Sequence, residues 1–265
     1  MVIQDKTSFS LRTRSVILIG LICLGITFCE WVFAYQNVSY GIILALFLAL
    51  IIYLVLPLIK LGQPFTDCAE SLVLIPLYIL LTASLPWFFL SQELVLPTVY
   101  AVILALCAWH IYRKDISLRD IGFNGNRLAK YVLIGFLVGV PLGAVEYLII
   151  TPLASFPTFE IKYLARDFAY MVFFVGLGEE LLFRGLVQRD MTKLFGWKWG
   201  LIGASLMFGI MHLTWRSIPE LGFTSFAGLI FGYLYQKTRS LTAPIIAHGI
   251  GNTILVAVMP YLLPK

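Results

Sequence analysis

The chain has 265 residues, of which 60% are hydrophobic and 12% are charged. Soluble domains contain roughly 45–50% apolar and about 25% charged residues, so this composition excludes a water-soluble fold, a disordered chain and a nucleic-acid-binding tail. The net charge of +5 does not change this conclusion, because Lys and Arg collect at the membrane edges of such proteins. The sequence therefore predicts an integral membrane protein with a lipid bilayer as its surroundings and no nucleic-acid partner.

Apolar runs follow one another along the whole chain, most of them close to the roughly 20 residues that a helix needs to cross a bilayer. They lie near residues 15–34, 40–59, 72–90, 94–112, 131–153, 168–187, 199–213, 221–236 and 241–263. The runs at 199–213 and 221–236 are short, which leaves the helix count at eight or nine. The predicted fold class is all-α, a polytopic transmembrane helical bundle of about 8–9 spanning helices.

Positive charges indicate how the bundle is oriented. With the N-terminus in the cytoplasm, alternating crossings place 14 Lys and Arg residues on cytoplasmic segments and 4 on the opposite side. The positive-inside rule therefore favours a cytoplasmic N-terminus in a multi-pass protein of the cell membrane. The longest polar stretch, residues 113–130, is a cytoplasmic linker between an N-terminal four-helix block, residues 1–112, and a C-terminal block, residues 131–265.

The C-terminal block contains charged residues where a membrane helix should be apolar. The segment "GLGEELLFRGL" carries Glu179, Glu180 and Arg184 in one run. A charge at bilayer depth costs at least about 2.5–3.5 kcal/mol on insertion scales, so each needs a partner or a function. Four positions advance a helix by about 400°, which places Glu180 and Arg184 on one face as a possible ion pair. Glu179 is rotated by about 100° and must face a different neighbour.

Two histidines complete the set of polar residues. In "FGIMHL", Phe208 and His212 share a helix face through their i, i+4 spacing, and in "APIIAHGIGN" the same spacing relates His248 and Asn252. Each pair alone is a weak signal, because a lone histidine in a helix usually has a packing role. Both pairs follow a double glutamate in the same block, and this order is much more informative.

The order E-E-x-x-x-R, F-x-x-x-H and H-x-x-x-N resembles the CPBP family of intramembrane proteases, which includes the type II CAAX prenyl proteases and bacterial Abi-type proteins. The small-residue segment "GLIFG", with Gly228 and Gly232, is also similar to that family, although such glycines first indicate close helix packing. The resemblance covers residues 168 to about 258. The four N-terminal helices carry no motif of the family.

The resemblance implies a catalytic role for four residues. Glu179 is expected to act as the general base that activates a water molecule, with His212 positioning or polarising that water. His248 and Asn252 are expected to bind the oxyanion of the tetrahedral intermediate.

Three further residues have supporting roles in this reading. Glu180 and Arg184 are expected to keep the helix and the catalytic carboxylate in position. Phe208 is expected to support His212, with which it shares a helix face.

The expected mechanism requires no cofactor. A zinc ion held by Glu179, His212 and His248 is the alternative, although the H-E-x-x-H motif of many zinc proteases is absent from the sequence.

The sequence thus predicts an intramembrane endopeptidase acting on a membrane-associated protein or peptide. A proton-coupled transporter is the second hypothesis, because buried Glu, His and Arg also line ion pathways. Glu30, Glu146 and His110 also lie within or at the ends of apolar runs, but no constellation of polar residues surrounds them, and His110 sits beside Arg113 and Lys114. They are interpreted as interfacial or snorkelling residues.

Overall fold

The protein is described here by a computed structural model covering residues 3–83, 85, 90–125, 127–154 and 156–263, with backbone only for residues 3–10. Every regular element in these ranges is helical, which confirms the all-α class. The α-helices are α1 (Ile3–Trp31), α2 (Val38–Val55), α3 (Gln63–Ala83), α4 (Gln92–Arg113), α5 (Leu128–Ile150), α6 (Ile161–Tyr170), α7 (Leu177–Glu180), α8 (Arg189–Phe195), α9 (Trp197–Ile210), α10 (Ile218–Thr238), α11 (Thr242–Ala257) and α12 (Met259–Leu262).

Six helical segments of the described residues are long and apolar enough to cross a membrane, which supports a multi-pass membrane protein. They are Leu11–Gln36, Val38–Leu58, Gln63–Ala83, Gln92–Arg113, Leu128–Ile150 and Thr242–Leu262. The remaining predicted runs differ from these in charge, length or polarity. The run 168–187 carries two glutamates and an arginine, α9 has only 14 residues, and α10 has 21 residues but is less apolar.

The two adjacent glutamates lie in an unbroken helical stretch from Ile161 to Phe195. Two π-helical segments, Met171–Gly176 and Leu181–Gln188, flank the short helix α7 that contains both glutamates. Segments of this kind occur frequently at functional sites, because the extra residue per turn re-aims the neighbouring side chains. Gly196, with φ of 86°, ends the stretch in a backbone conformation that favours glycine and leads directly into α9.

Small residues bring α5 and α11 into close contact. Gly135, Gly139 and Gly143 are spaced four apart on α5, and a Cβ atom at Gly139 would meet the carbonyl oxygen of Ala247. A Cβ atom at Gly143 would likewise meet the carbonyl oxygen of Gly251. Close backbone approach over small residues is typical of membrane helix pairs, because it extends van der Waals contact. The pair therefore places α5 directly beside the helix that carries the last predicted motif.

Polar contacts join α3 to α8 of the C-terminal block and to the end of α4. The Ser71 hydroxyl on α3 donates to the Asp190 carboxylate on α8 at 2.5 Å. The Lys114 amine, at the end of α4, lies 2.7 Å from Asp67 and 2.8 Å from Glu70. Burial alone would lower the pKa of Lys114, but the hydrogen bonds to both carboxylates outweigh it and raise that pKa. These contacts join α3 to its neighbours on either side.

Candidate active site

Glu180 lies at the centre of a buried polar network. Its Oε1 atom accepts hydrogen bonds from Arg184 Nη1 at 2.7 Å and from His248 Nδ1 at 2.9 Å. The side chains of Glu180 and Arg184 are 0% and 1% exposed, so the ion pair expected from their spacing is present and fully buried. A second guanidinium nitrogen of Arg184 donates to the carbonyl oxygen of Gly228 at 3.1 Å. Glu180 therefore connects the 161–195 helix to α11, and Arg184 connects it to α10.

The glycines of α10 form the close packing seam that their spacing predicts. A Cβ atom at Gly228 would lie 3.2 Å from Ser205 on α9, and one at Gly232 would lie 2.5 Å from Gln188 and Leu201. The Gly232 carbonyl accepts a hydrogen bond from Gln188 at 3.0 Å. Side chains of the 161–195 helix therefore reach the backbone of α10 because glycines leave it uncovered.

Glu179 has surroundings different from those of Glu180. Its Oε1 atom accepts a hydrogen bond of 2.6 Å from the Tyr100 hydroxyl on α4, which is the separate neighbour that the helical rotation requires. Its Oε2 atom lies 3.9 Å from His248 Nε2, too far for a direct hydrogen bond. The Glu179 side chain is 12% exposed, whereas that of Glu180 is fully buried. Each carboxylate has one oxygen without a hydrogen bond among the described residues, but the free oxygen of Glu180 is buried, so Glu179 is the carboxylate that is partly exposed.

His248 lies between the two carboxylates. Its ring stacks on Phe231 with centroids 5.2 Å apart and an interplanar angle of 16°. Since the carboxylate of Glu180 can only accept, His248 Nδ1 carries a proton and donates it. The Nε2 atom on the Glu179 side is then an acceptor in the neutral ring and a donor in the imidazolium.

His212 lies just beyond the end of α9 rather than inside a helix, which corrects the helical placement expected from the sequence. Its backbone N–H bonds to Gly209 at 2.9 Å, in the tighter pattern of a helix end. This leaves the Phe208 carbonyl free to accept a hydrogen bond of 2.9 Å from His212 Nδ1. His212 Nε2 is therefore the nitrogen left with a lone pair.

Phe208 connects the two histidines. Its ring centroid lies 4.9 Å from that of His212 and 5.6 Å from that of His248. The Arg184 guanidinium lies over the same ring at 4.4 Å, a distance typical of a cation–π contact. Phe208 thus packs against residues of all three motifs.

A small cavity lies beside these residues. Its volume is about 20 Å³, and its lining includes the polar side chains of His212, His248, Asn252 and Glu146. A polar cavity of at least roughly 10–15 Å³ has room for about one water molecule. Within the described part of the chain, the Asn252 amide makes no side-chain hydrogen bond, so its donors are available to the cavity.

Two residues at the site were missed by the sequence reasoning. Tyr100 belongs to the N-terminal block, which carries no family motif, and no spacing relates it to Glu179. Glu146 does carry a signal, namely a lone carboxylate within an apolar run. It lines the cavity together with His212, His248 and Asn252. The interfacial interpretation of Glu146 is therefore wrong.

The interfacial interpretation is also wrong for Glu30 and His110. These residues are 2% and 0% exposed, because neighbouring helices cover them inside the bundle.

The zinc alternative depends on the arrangement of its three proposed ligands. Among the described residues, no group of three His, Cys, Asp or Glu side chains is placed to hold a metal ion. In the set Glu179, His212 and His248, Nδ1 of each histidine bonds to the Phe208 carbonyl or to Glu180, which leaves Nε2 as the nitrogen that could bind a metal ion. Zinc is therefore treated below only as an outcome of an experiment.

Comparison with known proteins supports the resemblance drawn from the motifs. Residues 162–254 match the family model described as type II CAAX prenyl endopeptidase Rce1-like. Searches of curated proteins and of solved structures found no match. The matched segment begins in α6 and ends in α11, so it contains all three motifs but neither Tyr100 nor Glu146. The family description supports endopeptidase activity in general, and residues 162–254 relate this chain to the Rce1-like type II CAAX prenyl endopeptidases.

Proposed function

We propose that the protein is an intramembrane endopeptidase that hydrolyses a peptide bond of a membrane-associated protein or peptide through a water molecule activated by Glu179. The observation that carries the proposal is the contact of His248 with both glutamates, 2.9 Å from Glu180 and 3.9 Å from Glu179, beside a polar cavity. Residues from three separate helical segments thus meet at one place inside an apolar bundle.

Glu179 is the general base in this proposal. The Tyr100 hydroxyl holds one carboxylate oxygen at 2.6 Å, so the orientation of the group is set while its Oε2 atom stays available to take a proton. Glu180 is less suited to the same task, because its side chain is fully buried and its Oε1 atom already accepts from both Arg184 and His248. General-base catalysis by a positioned side chain contributes roughly 10²–10⁴ in rate.

His212 orients the attacking water. Its Nδ1 proton is committed to the Phe208 carbonyl, so Nε2 can accept a hydrogen bond from water while Glu179 removes the other proton.

Asn252 and His248 bind the oxyanion. The Asn252 amide brings two N–H donors to the cavity, and His248 adds its Nε2–H when the ring is an imidazolium. The removal of one oxyanion donor typically costs roughly 10²–10³ in kcat.

The test is an assay of purified protein in lipid vesicles with a farnesylated peptide that ends in a CAAX sequence. We expect Glu179→Ala to lower kcat by at least about a hundredfold, because the water loses its base. Glu93→Ala is the matched control, since the Glu93 side chain is 69% exposed and lies on α4 away from the cavity. Its activity should equal that of the wild type.

Two outcomes would change the assignment. Cleavage by Glu179→Ala at the wild-type rate would overturn the proposed mechanism. Activity that a chelator abolishes and zinc restores would favour the metal-dependent version of the protease instead.

A further inference from the structure

A single side chain attaches the turn that carries His212 to the end of α1. The Nε atom of Arg216 donates a hydrogen bond of 2.7 Å to the carbonyl oxygen of Ala34. The two residues are 182 positions apart along the chain, and neither belongs to the three motifs. This contact therefore joins the N-terminal block to the segment between α9 and α10.

The Ala34 carbonyl needs a hydrogen-bond donor from outside its own helix. A π-helical segment, Val32–Gln36, follows α1, and Asn37 ends it with an extended backbone and with its N–H on the Val32 carbonyl at 2.9 Å. The last carbonyls of a helix have no partner within it, and Ala34 is buried. A guanidinium also suits this position, because the C-terminus of a helix carries a partial negative charge. Arg216 therefore caps the helical stretch that begins with α1.

The backbone from His212 to Arg216 forms one compact turn. The Trp215 N–H bonds to the His212 carbonyl at 3.1 Å, and the Arg216 N–H bonds to the Leu213 carbonyl at 2.9 Å. Arg216 itself has a φ of 53°, which ends the turn in the left-handed conformation. Because these bonds tie the residues of the turn together, a displacement of Arg216 also moves His212.

His212 is thus held from two sides. On the α9 side, its Nδ1 atom bonds to the Phe208 carbonyl at 2.9 Å, which fixes the direction of the ring. On the other side, Arg216 fixes the turn against the end of α1. We infer that Arg216 is a positioning residue that keeps His212 Nε2 where it orients the attacking water, a role that rests on the proposed endopeptidase function. A misplacement of about 1 Å in such a group can cost about 10² in rate.

Replacement of Arg216 by asparagine tests this role. Asparagine tolerates the left-handed conformation of this position, but its side chain is too short to reach Ala34 as arginine does. We expect Arg216→Asn to lower kcat for the farnesylated CAAX peptide by roughly tenfold to a hundredfold, because the attacking water is misplaced. KM should stay unchanged, since the contacts that bind the substrate are kept. Arg216→Lys keeps a donor on a long side chain and should recover part of the loss.

Arg239→Asn is the matched control. Arg239 has the same φ of 53° and follows the other end of α10, about 30 Å from the turn that carries His212. Its kcat should equal that of the wild type. A wild-type kcat for Arg216→Asn as well would overturn the inference.

A double-mutant cycle separates positioning of His212 from a general structural role. In His212→Ala the imidazole is gone, so the addition of Arg216→Asn should leave the remaining rate within about twofold. A structural role independent of His212 would lower the rate by the same factor in both backgrounds, and that result would overturn the inference.

The ring nitrogens of histidine give a readout that does not depend on activity. The chain has three histidines, so nitrogen NMR of the protein in vesicles contains few ring signals, and the His212→Ala spectrum identifies those of His212. We expect Arg216→Asn to shift or broaden the His212 signals and to leave those of His110 and His248 unchanged, which also shows that the variant is folded. His212 signals identical to those of the wild type would contradict the positioning role.

The proposed function and the role of Arg216 can fail separately. If Glu179→Ala cleaves the peptide at the wild-type rate, the proposed function fails. If Glu179→Ala is inactive but Arg216→Asn has the wild-type kcat, only the role of Arg216 fails.

Discussion

The neighbouring glutamates Glu179 and Glu180 have different partners because the helix points their side chains in different directions. Glu180 shares one oxygen between Arg184 and His248 in a fully buried network, which suits a group that holds helices together. Glu179 keeps one oxygen free and is held through the other by Tyr100. Removing one partner of a buried ion pair typically lowers the free energy of unfolding of a protein by about 3–5 kcal/mol. Loss of Glu180 should therefore affect folding, and loss of Glu179 should affect catalysis.

Tyr100 offers a test of how Glu179 is positioned. We expect Tyr100→Phe to lower kcat by roughly tenfold to a hundredfold, because a hydrogen bond to a charged group contributes about 1.5–3 kcal/mol and its loss frees the carboxylate to rotate. The measurement is steady-state cleavage of the farnesylated peptide. Tyr112→Phe is the matched control on the same helix, with a side chain 88% exposed. Equal kcat values for the two variants would show that the Tyr100 hydroxyl has no part in catalysis.

At the scale of single elements, two features of the helices position the site. The π-helical segments on both sides of α7 change the direction of side chains within one continuous helix. The glycines of α5 allow α11 to approach closely enough for Glu146 and Asn252 to line one cavity. Neither feature adds a chemical group, but each determines which groups meet.

Gly139→Ala tests the α5–α11 contact. Helix propensity alone would favour alanine by about 0.5–1 kcal/mol, but the new Cβ atom would meet the carbonyl oxygen of Ala247. We expect a net destabilisation of about 1–3 kcal/mol, seen as a lower unfolding temperature, together with lower activity. Gly20→Ala is the matched control in α1, where a Cβ atom would meet nothing within 4 Å. A Gly139 variant as stable as the Gly20 variant would contradict close packing at this seam.

For the molecule as a whole, the N-terminal block contacts the proposed active site. It supplies Tyr100 to the proposed base and Ser71 to Asp190, although it lies outside the residues that match the family. Its helices therefore contribute both to the site and to the stability of the segment that carries the motifs.

A split protein tests this dependence. Gly125 is exposed and a Cβ atom there would meet nothing within 4 Å, which makes its neighbourhood a tolerant point of division. We expect residues 126–265 alone to be inactive towards the farnesylated peptide, and co-expression with residues 1–125 to restore cleavage. Co-expression with a 1–125 fragment that carries Tyr100→Phe should restore less cleavage. Full activity of residues 126–265 alone would show that the N-terminal block is dispensable.

The sequence by itself determined the all-α membrane class, the Glu180–Arg184 pair and the position of the matched segment. Composition indicates whether a chain folds in water or in a lipid bilayer, and the helical period decides which residues share a face of one helix. Neither depends on how separate helices pack against each other. The order of the three motifs along the chain likewise indicated that Glu179, Glu180, His212 and His248 belong to one site.

Only the tertiary structure decided which of the two neighbouring carboxylates is partly exposed, that Tyr100 reaches Glu179, and that Glu146 lines the cavity. These contacts join helices that are far apart along the chain. They depend on where one helix lies against another, and that is governed by small residues, helix ends and π-helical segments rather than by the spacing of polar residues along any single helix.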